Sequence, residues 1–520
     1  MHLLLLGLFL GVFLHDVSAT GPGPGVTEAL PSDVWPGLGL WPVALCVFAP
    51  KLILLLLYTA SCRLTLRKLG TKAGATWFRR TDHLTGLMPP LLLTLFASDL
   101  TMGALRWVRI PLRNTVVIDE LLVMLPTLAT LVAAWLVYFP IDRRMRESGL
   151  ISRVDQGLAI YPLPTRGQYV LGQLRHQVAL LFVPLTIIAA WSESIALLGP
   201  DFDGPLSQTQ AMVLAPAGAL GVFLLAPLII RYLWDTAPLP EGEIRDAMLS
   251  LCKRHKIKVR ELLLWRTYGV LVNAAVMGMV GRLRFILLSD ALLDQLSREE
   301  VEAVMAHEIA HVRKHHMFWM LLVLIVSLGL GEQLVQYGLL AADQAISQNG
   351  PWQIAGLDAQ AMLRDDQTQV VAIALVSFVL ALGVFGWVSR RIERQADVFA
   401  ARHMAQQSEQ PERDAHGRVV FDAFACHAMI GALQRVAALN HVPPKRKSWR
   451  HGSIRWRQDH LRSLIGQPIH DAEVDRVLWR IKAAALASAL LLGVLYWMQW
   501  SNPDTTPALV EAACIIRRLV

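Results

Sequence analysis

His307, Glu308 and His311 stand in a His-Glu-x-x-His arrangement within residues 297–316, SREEVEAVMAHEIAHVRKHH. On a helix, positions four apart share a face, so the two imidazoles can point at one ion. Two imidazoles and a carboxylate, with one position left for water, suit zinc. Such an ion lowers the pKa of its water towards ~7. Glu308, one residue on from His307, is placed to take that water's proton, which is the chemistry of hydrolysis. The plainer alternative is a pair of surface histidines on a membrane-proximal helix. His315 and His316 lie off the His307/His311 pairing, which makes them interfacial residues rather than ligands.

A second group of candidates lies in Ser389-Arg390-Arg391-Ile392-Glu393-Arg394-Gln395-Ala396-Asp397. Glu393 and Asp397 are four apart and share a helical face. Glu393 is the candidate third ligand, completing a site for one zinc per chain. Asp397 can accept the free imidazole N–H of a ligand histidine. An ordinary charged helix, with Glu393 paired to Arg390 or Arg394, would use the same residues differently.

These residues need elements to hold them. Ser297 and Glu300 form a Ser-x-x-Glu capping box, so a helix is expected to start there. It is expected to run straight on into the apolar stretch 317–340. The chain has 520 residues, 54% of them hydrophobic and 17% charged. Its mean hydropathy is +0.43. A soluble protein is nearer a quarter charged. Apolar stretches fall near 36–60, 86–105, 117–139, 177–199, 211–233, 317–340, 369–388 and 480–500. Each is long enough for a hydrocarbon core of ~30 Å at ~1.5 Å per residue. Residues 1–34 read as a signal peptide or N-terminal anchor followed by a Gly/Pro-rich linker. Residues 35–233 then hold about five spans. Residues 234–316 form the first part of a catalytic domain, 317–388 two spans, 389–479 its second part, and 480–520 a last span with a short tail.

The net charge of +8 sits in loops between apolar runs, where it reports topology rather than a nucleic-acid patch. Loops 61–83 and 141–176 are basic, whereas 200–210 and 341–368 are acidic. Placing the basic loops in the cytoplasm puts 234–316 and 389–479 there too. Loop 104–115 disagrees, because Arg106, Arg109 and Arg113 then fall outside. The five cysteines, Cys46, Cys62, Cys252, Cys426 and Cys514, form no CxxC pair and no disulfide framework.

With HExxH on a helix entering the membrane, two spans, and SRxxExxAD after them, the chain resembles the integral-membrane zinc metallopeptidases of the CAAX prenyl protease 1 and HtpX heat-shock protease type. The likeness covers about residues 234–465. It extends to Val272-Asn273-Ala274-Ala275, similar to the family's Asn-Ala segment on an edge strand. There the resemblance implies that Asn273 and Ala274 bind an extended substrate by β-augmentation. Arg284 to Ser289 looks like the hairpin partner of that strand; a plain structural hairpin is the competing reading. The late His451-Gly452-Ser453…Arg457 is similar to the family's His-Pro-Ser…Arg segment, with Gly452 in place of proline. The resemblance gives His451 and Arg457 the task of steadying the substrate carbonyl and oxyanion. A basic juxtamembrane stretch touching anionic lipid is the alternative there.

The expected fold is mainly α, a polytopic membrane bundle carrying a small α+β zincin-like domain at the cytoplasmic face. The expected activity is a zinc-dependent endopeptidase in the bacterial inner membrane or its equivalent. Its partners would be the bilayer and membrane-associated protein or peptide substrates, with no nucleic acid. A membrane scaffold or transporter retaining a zinc site is the non-enzymatic rival. Glu308 separates the two, since a scaffold needs no general base beside its ligands.

Overall fold

The computed structural model describes residues 2–17, 37–112, 115–155, 160, 162–200, 204–269, 271–349, 353–354, 357–358, 363, 366–408, 411–440 and 442–501. It divides into two compact units, Met1–Asp235 and Thr236–Val520.

Unit 1 is helical. Its helices are α1 (His2–Val17), α2 (Leu40–Lys68), α3 (Gly74–Thr101), α4 (Ala104–Leu112), α5 (Ile118–Asp155), α6 (Arg166–Leu197, with one π turn at Leu174–Ala179) and α7 (Gln208–Leu233). The N-terminal segment is a helix whose Leu4, Leu5, Leu8 and Val12 are buried in the same core as Leu92, Phe96 and Leu100 of α3. The Gly/Pro-rich linker that follows lies outside the described residues. Where two spans meet, side-chain hydrogen bonds tie them. Tyr58 meets Thr85, and Ser61 and Thr65 meet Thr81, at 2.7–2.8 Å. Lys51 and Asp99, both buried, pair at 2.5 Å between α2 and α3. An intramembrane charge is tolerated when a partner of opposite sign removes the cost of stranding it.

The basic loop that disagreed with the topology is largely the helix α4. Arg106 is buried and donates to the Leu38 carbonyl at 3.1 Å. Arg109 pairs with Asp119 and Glu120 at 2.5 and 2.9 Å. These two cations are therefore matched within the fold. Arg113 lies outside the described residues.

Unit 2 combines a four-stranded sheet with helices. The strands are β1 (Thr236–Pro238), β2 (Glu261–Trp265), β3 (Ala274–Met277) and β4 (Phe285–Ser289), in the order β1-β2-β4-β3. β4 lies inside the sheet and is buried at every position, as its continuous apolar run requires. It runs parallel to β2 and antiparallel to β3. The expected hairpin between Asn273-Ala274 and Arg284–Ser289 is thus present, and β3 is an edge strand. The helices are α8 (Glu243–Arg254), α9 (Asp290–Gln295), α10 (Arg298–Arg313), α11 (His316–Asn349), α12 (Asp366–Gln407), α13 (Ala423–Leu439), α14 (Ile454–Leu464) and α15 (Glu473–Ser501).

Helix α10 begins as its sequence dictates. Ser297 Oγ accepts the Glu300 N–H at 3.3 Å, and Glu300 Oε2 accepts the Ser297 N–H at 3.0 Å. The helix is buried on two sides. Val301, Met305, Ile309 and Ala310 join the core beneath the sheet. Ala303 and Ala306 join a second core with α12, α13 and α14. Alanines recur opposite them on α12, at 396, 400 and 401, all fully buried. Small side chains let two helix backbones approach closely, which sets the distance between the two groups of candidate ligands.

One expectation changes here. The helix does not run straight into the apolar stretch. α10 ends at Arg313, His315 takes φ +55°, and α11 starts at His316. By contrast α12 is continuous over 42 residues, so Glu393 and Asp397 ride on the same rod as a membrane span. Among the described residues, eight helices are long and apolar enough to cross a membrane, five in unit 1 and α11, α12 and α15 in unit 2. The fold is thus a mainly helical multi-pass bundle with a small sheet.

Candidate active site and metal centre

The fold brings His307, His311 and Glu393 together. One ligand atom of each lies within 4.8 Å of the others. His307 Nε2 is 3.3 Å from His311 Nε2 and 3.6 Å from Glu393 Oε2. Two histidines come from one face of α10 and the carboxylate from α12. His307 and Glu393 are buried.

The opposite nitrogen of each imidazole is also engaged. His307 Nδ1 lies 3.0 Å from Asp397 Oδ1, with the ring turned off the ideal hydrogen-bond line. His311 Nδ1 lies 3.0 Å from His316 Nδ1. An imidazole that gives its Nδ1 proton to a neighbour presents a lone pair at Nε2. Two such lone pairs facing each other beside a carboxylate are the donor set of a divalent cation, and of zinc in particular. The residues therefore fit the metal expected of them.

Buried charges surround this set and satisfy one another. Arg457 Nε and Nη2 donate to the two oxygens of Asp397 at 2.8 and 2.6 Å. Its Nη1 lies 3.2 Å from Glu393 Oε2. His451 Nδ1, on a half-exposed side chain, lies 2.9 Å from Glu393 Oε1. A bidentate guanidinium–carboxylate pair is the strongest arrangement of this kind and tolerates burial. Burial disfavours charge on His307, but Asp397 outweighs it and the imidazole pKa is raised. Burial, reinforced by neighbouring His307, holds His311 well below its ordinary value. Burial pushes Glu308 up to about 7, against the pull of His307 and of a hydrogen bond from the Val276 backbone. That bond sets Glu308 beside edge strand β3.

All the sequence candidates in unit 2 except two converge on this point. Asn273 and Ala274 lie at the start of β3. The Asn273 side chain is exposed and its N–H is held by Ser289 Oγ at 3.0 Å. The Ala274 side chain is buried in the core beneath the sheet, so only its backbone is available to a ligand. Gly452 explains the departure from proline. It has φ +74°, which proline, fixed near −65°, cannot adopt. His316 was placed at the interface by its spacing, yet it is almost fully buried against His311. No helical periodicity brings positions five apart together. The break at Lys314-His315 does so.

A histidine pair and glutamate of this kind, with eight membrane-capable helices among the described residues, are what a multi-pass membrane metallopeptidase requires. Comparison with known proteins agrees. Residues 238–442 match the model of Peptidase family M48. The chain is 28% identical over 257 residues to a Protease HtpX homolog of Janthinobacterium sp. (strain Marseille), covering 45% of this chain and 81% of that protein. It is 30% identical over 186 residues to the CAAX prenyl protease 1 homolog of Arabidopsis thaliana, covering 34% of this chain and 40% of that protein. The crystal structure of S. mikatae Ste24p aligns with 17% identity and a TM-score of 0.41, over 81% of this chain and 99% of that chain.

Proposed function

We propose that the protein is a zinc-dependent endopeptidase that cleaves membrane or membrane-associated proteins at the cytoplasmic face. The observation that carries this reading is the Glu308 carboxylate standing beside the His307, His311 and Glu393 donor set while accepting the Val276 N–H of an edge strand. A zinc ion held by those three residues would polarise the peptide carbonyl and lower the pKa of water. Glu308 takes the proton of the attacking water and passes it to the leaving amine. Burial pushes this carboxyl up in the metal-free site, and a bound cation would draw it back to the carboxylate, the form that accepts the proton.

The substrate is an extended peptide added to β3, with Asn273 and the Ala274 backbone at one end of the groove. Asp397 orients His307. Arg457 commits three donors to Asp397 and Glu393, so its part is to hold the third ligand and neutralise the buried carboxylates. His451, half exposed and already against Glu393, is the group left to steady the substrate carbonyl and oxyanion. The charge asymmetry of the loops supports the cytoplasmic placement.

The test compares membrane fractions from cells making the wild-type protein or Glu308→Gln, by mass spectrometry of protein termini. New termini that appear with the wild type and vanish with the variant are expected. Identical termini from both would sink the endopeptidase reading and favour a scaffold.

A further inference from the structure

We propose that His316 is a positioning residue for the ligand imidazole of His311, and that Asp475, at the start of the last span, sets its tautomer through Gln395. The inference rests on the zinc reading above and adds to it residues outside the motifs.

Asp475 lies in the first turn of α15. A carboxylate only accepts, so the Gln395 Nε2 that touches Asp475 Oδ1 must donate. That fixes the orientation of the Gln395 amide and turns its Oε1 towards His316 Nε2 at 2.9 Å. An amide oxygen also only accepts, so His316 carries its proton on Nε2. The neutral ring then offers a lone pair at Nδ1, which lies 3.0 Å from His311 Nδ1. His311 must supply the proton of that bond. Its Nε2, on the side of His307, is left with a free lone pair. Every donor and acceptor in the chain is assigned by the one before it.

Asp475 is itself held in place. Arg402 Nη2 donates to its Oδ2 at 2.9 Å, and Arg402 Nε donates to the Ile469 carbonyl at 2.6 Å. Lys314 Nζ lies 3.6 Å from Asp475 Oδ1. Lys482 of α15 donates to the Lys314 carbonyl at 3.1 Å, where α10 ends. The last span therefore braces the helix break that turns His316 inward. Both ligand histidines are restrained at Nδ1, His307 by a carboxylate in contact and His311 by a carboxylate three hydrogen bonds away.

Outer partners of ligand histidines typically govern metal affinity by ~10–100-fold. The experiment measures the zinc dissociation constant by chelator competition and the visible spectrum of the cobalt-substituted full-length protein in detergent. His316→Leu removes the acceptor and keeps the bulk. It is expected to weaken zinc by ~10–100-fold and shift the cobalt bands. His316→Asn, which retains an acceptor near the Nδ1 position, should recover part of both. Gln395→Leu should fall between them, and Asp475→Asn, which permits either amide orientation, should do the same. A variant that does not fold is recognised by thermal unfolding of the metal-free protein, and His316→Asn and Asp475→Asn keep the test alive. If wild type binds one zinc and His311→Ala loses it, while His316→Leu binds as wild type with an unchanged cobalt spectrum, the positioning role is wrong. If wild type binds no zinc, it is the metal-site reading beneath it that has failed.

Discussion

Unit 1 and unit 2 each bring three potential metal ligands within 4.8 Å of one another: Asp119, Glu120 and Glu193 in the first, His307, His311 and Glu393 in the second. Proximity alone does not distinguish them. In unit 1, Arg109 already bridges Asp119 and Glu120, and the Val117 N–H donates to Glu193 at 2.7 Å. A guanidinium supplies the positive charge there. In unit 2 the comparable arginine, Arg457, is bidentate on Asp397 and reaches Glu393 with one nitrogen. It donates only, so it can stabilise carboxylates but gives nothing to an imidazole lone pair. Asp119 Oδ1 and Glu120 Oε2 also keep lone pairs without a hydrogen-bond donor, so what marks unit 2 as the zinc centre is its pair of imidazole nitrogens, which no guanidinium satisfies.

The largest expected effect lies at the base of unit 2. Glu308→Gln keeps the shape and removes the basicity. It should lower peptide cleavage by about 10²–10⁴-fold in zinc-loaded protein, with zinc still bound. Steady-state cleavage of a model membrane peptide reads this out. A variant within a few-fold of wild type would remove the reason for treating unit 2 as catalytic.

Next in size is the buried charge cluster. Arg457→Met strands Asp397 and Glu393 without their cation. Breaking one partner of a buried pair costs about 3–5 kcal/mol, so the unfolding midpoint in denaturant should fall sharply. Arg457→Met combined with Asp397→Leu should recover much of that loss, because a matched apolar pair avoids the stranded charge. A double variant no better than the single one would show that the two residues do not act as a pair.

A smaller effect concerns pH. Burial disfavours the charged form of Glu308 and pushes it up to about 7 in the metal-free site. A divalent cation beside it favours the carboxylate, so zinc uptake releases this proton. Apparent zinc affinity should then weaken as pH falls through 7, and the slope should drop by about one proton in Glu308→Gln. An unchanged slope would remove Glu308 from the immediate surroundings of the metal.

The smallest effect is remote from the site. Burial, His403 and neighbouring arginines lower His255 to about 4. Its Nε2 meets His403 Nδ1 at 3.1 Å. A depressed histidine contributes stability that is present above its unfolded value and lost as pH falls from about 6.5 towards 4. His255→Phe, which keeps the ring beside Phe399, should flatten that acid loss in thermal unfolding. A variant as acid-sensitive as wild type would assign the loss to other groups.

Much of this was legible before the fold was known, for reasons that differ residue by residue. The spans follow from length and hydropathy, which membrane thickness enforces directly. The Ser297–Glu300 cap and the four-residue spacings of His307/His311 and Glu393/Asp397 are local, so periodicity reveals them. The burial of His316 is not legible in the sequence because its contact depends on His315 leaving the helix at φ +55°, and nothing in a run of charged and aromatic residues demands that break. Gln395 and Asp475 carry no signal in the sequence for a related reason. They meet across 80 residues, and no spacing rule connects the two segments. Arg457 reads from the sequence as a donor to substrate, and its pairing with Asp397 spans 60 residues that no spacing rule connects. The position of Gly452 looked like a departure until its backbone proved to be one that proline cannot take.

The contrast between the two units meets its most direct test in the zinc-to-protein ratio of the purified full-length protein, determined by elemental analysis for wild type, Glu393→Ala and Asp119→Asn. One zinc per chain is expected in wild type and in Asp119→Asn, and little or none in Glu393→Ala. Zinc retained undiminished in Glu393→Ala but lost from Asp119→Asn would contradict this, and would place the metal among the carboxylates of unit 1.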